Sequence, residues 1–346
     1  MSYLAAFSRG LFRKWQPDSV NAIDKCHIGH DLNVVKFTET AMPLLKAPAQ
    51  ATKGYLPSTE DLERFRKVQR LAYAAAEAVA KELKPGMTEK QAARMQEVWL
   101  LDHGVTDWFH SPFAWFGDRT AFQGFKVALQ FLPTNRRLEE NMPFILDNAP
   151  VVDGYVADIG YAGVLGENKI LDRLLDDLAE HRALILDLIQ QRRPMSEVSQ
   201  AVDRLIQKQG HEPRHKAYPF ETLAHTVQPM APRKSKKPNT LFQFGFQAVE
   251  ALGRLALTAR RQGWSPIWSS NKSSNHAPVP GLWAVEPHLG FHGVGAKFEE
   301  LLVITEDDAY WLDDESPHVR RWKERGLWAT GQQAGIKPRK RKVKAA

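Results

Sequence analysis

The stretch PFILDNAPVVDGYVAD, residues 143–158, decides how this chain is read. Its opening is a short apolar run that ends in Asp147, and Asp153-Gly154 is a turn signal. A second apolar run, Tyr155 to Ile159, carries Asp158. The spacing predicts two strands of one hairpin-like unit, which would set Asp147 and Asp158, eleven positions apart (147 to 158), beside each other. Two carboxylates buried side by side repel and take up protons unless a cation neutralises them, so a metal is the economical reading. Taken alone, the pair is a weak signal, since strand-end aspartates are more often caps or turn residues.

Outward from this stretch the pattern changes. Ser58 and Asp61 form a capping-box start, and Leu62, Phe65, Val68, Ala72, Ala75, Ala76 and Val79 follow at helical spacing until Lys84-Pro85-Gly86 stops the run. Thr88 and Gln91 restart a helix that ends near His103-Gly104. Beyond the central strands, Ile170, Leu171, Leu174, Leu178, Ile185 and Ile189 predict a helix, Arg193-Pro194 a break, and Ser196 the cap of the next helix. Residues 229–275 differ from their surroundings and read as an insertion, and 282–312 read as strands. Residues 1–57 read as an arm or small subdomain, 58–320 as the main domain, and 321–346 as a terminal segment with a disordered basic tail.

The composition is that of an ordinary soluble protein, 43% hydrophobic and 25% charged over 346 residues. No run of apolar residues is long enough to cross a bilayer, which argues against a membrane protein. Cys26 is the only cysteine, which excludes internal disulfides and thiolate-rich zinc sites and fits a reducing, cytoplasmic setting. The net charge of +7 is concentrated in the tail, where Lys337, Arg339, Lys340, Arg341, Lys342 and Lys344 supply six positive charges. The body is near neutral, and nucleic acid is not the expected partner.

Further acids lie in apolar runs: Glu286 in Ala284-Val-Glu-Pro287, and Glu299 in Lys297-Phe-Glu-Glu300. Charges in such positions are seldom buried unless paired or metal-bound. His225, in Leu223-Ala-His-Thr-Val227, is an imidazole in a similar setting. Its simplest reading by itself is a hydrogen-bonded core histidine.

Taken in order, Asp147, Asp158, His225, Glu286 and Glu299 resemble the ligand set of the pita-bread metallopeptidases: aminopeptidase P, prolidase and methionine aminopeptidase. Gly154-Tyr155-Val-Ala-Asp158, Glu286-Pro287, the phrase from Gly295 to Asp307, and Lys84-Pro-Gly-Met-Thr-Glu89 resemble the family's phrasing over residues 60–315. The resemblance implies an α+β pita-bread (creatinase/aminopeptidase) fold, a curved, mostly antiparallel sheet with helices outside. It also implies two divalent metal ions, with Asp147 on one, His225 and Glu286 on the other, and Asp158 and Glu299 bridging them. Manganese, cobalt, iron and zinc all suit oxygen ligands with one imidazole. Glu286 would also shuttle the proton between water and leaving amine.

The chain departs from the family at its histidines. The second catalytic histidine would fall on Pro232, and His276 is the replacement expected here, ahead of His288 and His292. The earlier substrate-contacting histidine would fall near Gln123-Gly124, and His110 takes its place in the expected pocket. The function implied is an Xaa-Pro aminopeptidase or dipeptidase acting on a peptide or small molecule, with a homo-oligomer compatible. Two other classes stay open: hydrolysis of a non-peptide small molecule on the same fold, and a non-catalytic binding protein derived from a peptidase.

Overall fold

The computed structural model describes residues 55–230 and 262–328. Most of the expected N-terminal arm, the middle of the expected insertion and the basic tail lie outside these residues. Among the described residues, no helix is long and apolar enough to cross a membrane.

Helix α1, Thr59–Glu82, begins where Ser58 accepts from Asp61 N and the Asp61 carboxylate accepts in return from Ser58 N. This reciprocal cap satisfies amides the first turn would leave orphaned. Its buried face is the one the spacing predicts, with Phe65, Val68, Ala72, Ala75, Ala76 and Val79. Helix α2, Glu89–Asp102, starts on the same device with Thr88 and Gln91. Strand β1, Asp107–Phe116, then pairs antiparallel with β2, Pro143–Val152.

Strand β2 runs past Asp147 through Pro150, further than the short apolar run suggests. Pro150 has no amide to give to a ladder, and it sits opposite Trp108 beside an irregularity in β1, where a proline is tolerated. The turn falls on Asp153 and Gly154, both at positive φ. Short β3, Tyr155–Val156, pairs with the end of β2, and β4, Ile159–Val164, pairs back along β2 from Asn148 to Pro143.

Helix α3, Lys169–Gln190, is followed by α4, Met195–Lys208. The cap expected at Ser196 is not observed. Pro194 holds the cap position, and Ser196 is buried with its hydroxyl 3.4 Å from the Asn275 side chain. The first amide of the helix, Met195 N, donates instead to the His276 carbonyl at 3.0 Å.

Beyond α4, β5 (Glu212–Pro213), β9 (His288–Phe291) and β10 (Val294–Lys297) form a three-stranded sheet in the order β10-β9-β5. A five-stranded sheet has the order β12-β11-β8-β6-β7, with β6 Ala224–Val227, β7 Ile267–Trp268, β8 Gly281–Val285, β11 Glu300–Ile304 and β12 Ala309–Trp311. Among the described residues, all the strand pairs are antiparallel. Helix α5, Pro317–Glu324, closes the described chain.

The described end of the expected insertion belongs to the core. Residues Ile267–Trp268 form the edge strand beside β6, and Trp264 and Trp268 pack with Trp283 in the largest apolar cluster, under α3 and α4. A second cluster lies between α1, α2 and the sheet of β1, β2 and β4.

Candidate metal centre

The sheets converge on a group of buried acids. Asp147 stands in the middle of β2, opposite Phe113 of β1 and Gly160 of β4. Asp158 occupies the break between β3 and β4. His225 lies in β6, opposite Ala284 of β8. Glu286 follows β8, its amide donating to Leu223 O at 2.9 Å. The register pairs Glu300 with Val285, so Glu299 and Glu286 emerge at the same end of β8 and β11.

His110 joins them from β1, between two irregularities in that strand's pairing. Such bulges re-aim side chains. His110 Nε2 is 3.0 Å from Asp158 Oδ1 and 3.4 Å from Asp147 Oδ1. His225 Nε2 is 3.5 Å from Asp158 Oδ2 and 3.9 Å from Glu299 Oε1. Ring contacts orient both imidazoles: Phe109 stacks on His225 at 5.7 Å and Phe113 on His110 at 5.0 Å. The Ser111 carbonyl holds His110 Nδ1 and the Thr226 carbonyl holds His225 Nδ1, leaving each Nε2 toward the acids.

Among the described residues, two sets of donor atoms are compact enough for a metal ion: His110, Asp147 and Asp158, and Asp158, His225 and Glu299, the atoms within each set lying within 4.8 Å of one another. Oxygen and imidazole donors of this kind suit a borderline divalent cation. The residues present therefore fit a metal.

A cation of the chain's own also stands here. Lys297 Nζ is 2.9 Å from Asp147 Oδ2, 3.0 Å from Glu286 Oε2 and 2.9 Å from Glu299 Oε2. The Tyr218 ring lies 5.2 Å from the same nitrogen. Burial disfavours the ammonium, but Asp147, Glu286 and Glu299 outweigh it and hold Lys297 well above the ordinary lysine range. Sequence reasoning took Lys297 only as part of a family phrase. The available signal was the period of a strand, which places residues 297 and 299 on one face.

The other ionisation states follow from the same crowding. Burial raises Asp147 and Glu286, with Lys297 opposing in both, and raises Glu299 strongly, with Asp158 and Glu286 adding to the rise. Asp158 is held below the usual carboxylate range because His110 and His225 outweigh its burial. Burial pulls His110 down, but Asp158 and Asp147 push it up to about 9.

The structure does not bring His276 to this group. Its Nε2 accepts from Ser265 N at 2.9 Å and its Nδ1 lies 2.9 Å from Ala277 O, so local backbone occupies both ring nitrogens. Pro232, the position the family phrasing points to, is outside the described residues. His288 is fully buried against Phe122 and Tyr218, and burial with the nearby Lys297 charge keeps it well below the ordinary histidine range. His292 lies in the turn after β9 at positive φ, its ring edge-on to Phe291.

The sequence profile of metallopeptidase family M24 matches residues 63–306. The chain belongs to metallopeptidase family M24. In fold it is similar to an X-Pro aminopeptidase from Thermotoga maritima (TM-score 0.53, 14% identity, covering 74% of this chain and 62% of that one). It is similar also to a prolidase from Pyrococcus horikoshii (TM-score 0.52, 16% identity, 74% and 62%) and a dipeptidase from Mycobacterium ulcerans (TM-score 0.52, 17% identity, 76% and 60%). An uncharacterized peptidase of Staphylococcus aureus is 22% identical over 157 residues, 45% of this chain and 43% of that protein. The matches thus span less than two thirds of these relatives. They bear out the α+β pita-bread fold.

Proposed function

We propose that this M24 chain is a metal-dependent hydrolase of the Xaa-Pro aminopeptidase or dipeptidase type, working in the cytoplasm. The observation that carries the reading is the buried set Asp158, His225 and Glu299, drawn from three separate parts of the chain and compact enough to hold a cation. When bound there, a divalent cation such as manganese supplies the Lewis acidity that activates water and polarises a carbonyl.

The chain's own residues then have distinct tasks. Asp158 and Glu299 supply oxygens, and His225 supplies Nε2, oriented by Phe109 and the Thr226 carbonyl. Glu286, whose carboxyl burial pushes upward, is suited to holding a proton between an attacking water and a leaving amine. His110 holds a proton at Nε2 beside Asp158 and is placed to donate a hydrogen bond to an oxygen that gains charge. The two-ion arrangement implied by the sequence resemblance would call on Asp147 and Glu299 oxygens that Lys297 already contacts.

The test is hydrolysis of Xaa-Pro dipeptides and Xaa-Pro-Xaa tripeptides by the full chain, stripped with chelator and reconstituted with Mn²⁺, Co²⁺, Fe²⁺ or Zn²⁺. Turnover that needs metal and prefers proline in the second position is expected. A protein that binds metal yet cleaves none of these peptides would redirect the reading to a non-peptide substrate.

A further inference from the structure

We propose that Lys297 stands in for one of two metal ions, so that the chain holds a single divalent cation, at Asp158, His225 and Glu299, beside a fixed ammonium. The inference rests on the metal-binding reading above and concerns how many ions the site takes.

The geometry divides the carboxylates by oxygen. Asp147 Oδ1 and Glu299 Oε1 face the imidazoles, while Asp147 Oδ2 and Glu299 Oε2 face Lys297 Nζ. Glu299 therefore spans a metal-competent position and the ammonium, as it would span two ions. An ammonium has three donors and no acceptor, and here the three are matched by three carboxylates, those of Asp147, Glu286 and Glu299. A second ion bound through Asp147 and Glu299 would have to evict a cation from its partners into a buried setting, against like-charge repulsion.

A third part of the chain is shaped to admit the side chain. Gly160, opposite Asp147 in the sheet, lies under the lysine stem; a Cβ there would come 2.3 Å from Lys297 Cε and 2.8 Å from Cδ. Its φ is not in the left-handed region, so backbone conformation does not call for a glycine. The space is what the glycine provides. With the Tyr218 ring on the nitrogen, strands β4 and β10 and the Tyr218 loop together make a seat for this lysine.

The test is metal content by elemental analysis of the full chain after equilibration with Mn²⁺ and removal of free ion, together with the electron paramagnetic resonance spectrum. Wild type should hold one Mn²⁺ per chain with the signal of an isolated ion, and Lys297→Met should hold two with the signal of a coupled pair. Gly160→Ala keeps every ligand but displaces the lysine stem, and should also move toward two; it decides the matter if Lys297→Met does not fold. Two coupled ions in the wild type would overturn the inference and leave the metal-binding reading standing. One ion in wild type and in both folded variants would overturn it likewise. No ion in any of the three would overturn both readings.

Discussion

His110 Nε2 lies 3.0 Å from Asp158 Oδ1, although 48 positions separate the two residues. The contact depends on β1 being irregular on either side of His110, and this imidazole together with that of His225 outweighs burial to keep Asp158 ionised. His110→Ala should therefore weaken metal binding by roughly ten- to a hundredfold, the range seen when a partner of a ligand is removed. Competition with a metal indicator checks this, and an unchanged affinity would remove His110 from the centre.

Asp158 belongs to both compact sets of donors, so its loss should be felt more than that of any other acid. Asp158→Asn keeps the volume but halves the oxygen donors. Metal content should fall to a small fraction of the wild-type value and peptide turnover with it. An Asp158→Asn protein that retains a full complement of metal would contradict the assignment.

Away from the centre, Arg182 and Glu300 form a buried two-point pair, with Nε to Oε1 at 2.7 Å and an Nη to Oε2 at 3.0 Å, joined by His318. Burial alone would raise Glu300, but Arg182 and His318 bring it down to about 2. A depressed carboxylate contributes stability above its unfolded value near 4.5, and that contribution is lost as pH falls toward 2. Glu300→Gln should cost up to about 3–5 kcal/mol at neutral pH, because Arg182 is left buried with only the half-exposed Asp314 carboxylate, 2.9 Å away, to neutralise it. Denaturant unfolding at neutral and acid pH should show the difference narrowing as the wild type loses the ionised carboxylate.

The His181 ring is fully buried, and burial drives its pKa down to about 4, with the Gln209 hydrogen bond only partly opposing. The native state then binds fewer protons than the unfolded state between pH 6.5 and 4. Stability is intact above pH 6.5 and declines as pH falls through that window, by roughly 3 kcal/mol in all. His181→Gln should flatten this part of the unfolding profile, and an unaltered slope would show that the decline comes from elsewhere.

Gly154 follows Asp153 in the β2 to β3 turn at φ +86°, where a Cβ would come 2.7 Å from the Met230 carbonyl oxygen. Gly154→Ala thus meets both a left-handed backbone and a fixed backbone atom. A loss of at least ~1–2 kcal/mol is expected, read as a lowered midpoint in thermal unfolding, and accompanied by weaker metal binding because Asp158 lies two residues beyond β3.

The helices show what was legible locally. The caps at Ser58 and Thr88 and the apolar faces of α1 and α3 depend on neighbours a few residues apart, so their spacing predicts them. Ser196 shows the limit: a hydroxyl before an apolar run looks like a cap, but contact with Asn275 and the place of Pro194 settle its role. Trp264 and Trp268 fall in the stretch 229–275 that reads as an insertion. Pairing of β7 with β6 puts them in the core.

For the candidate centre, the order of Asp147, Asp158, His225, Glu286 and Glu299 along the chain was enough to point to a family and a chemistry, because that order resembles the family's ligand set, although each residue alone has a simpler reading. Three things were decided only by the tertiary structure: that His110 reaches Asp158, that His276 is spent on the backbone of Ser265 and Ala277, and that Lys297 stands among three of the acids. The reason is physical. A residue's chemical type is carried by the sequence, but which charges meet in a buried space depends on strand register, bulges and the room left by a glycine, and these join segments far apart in the chain.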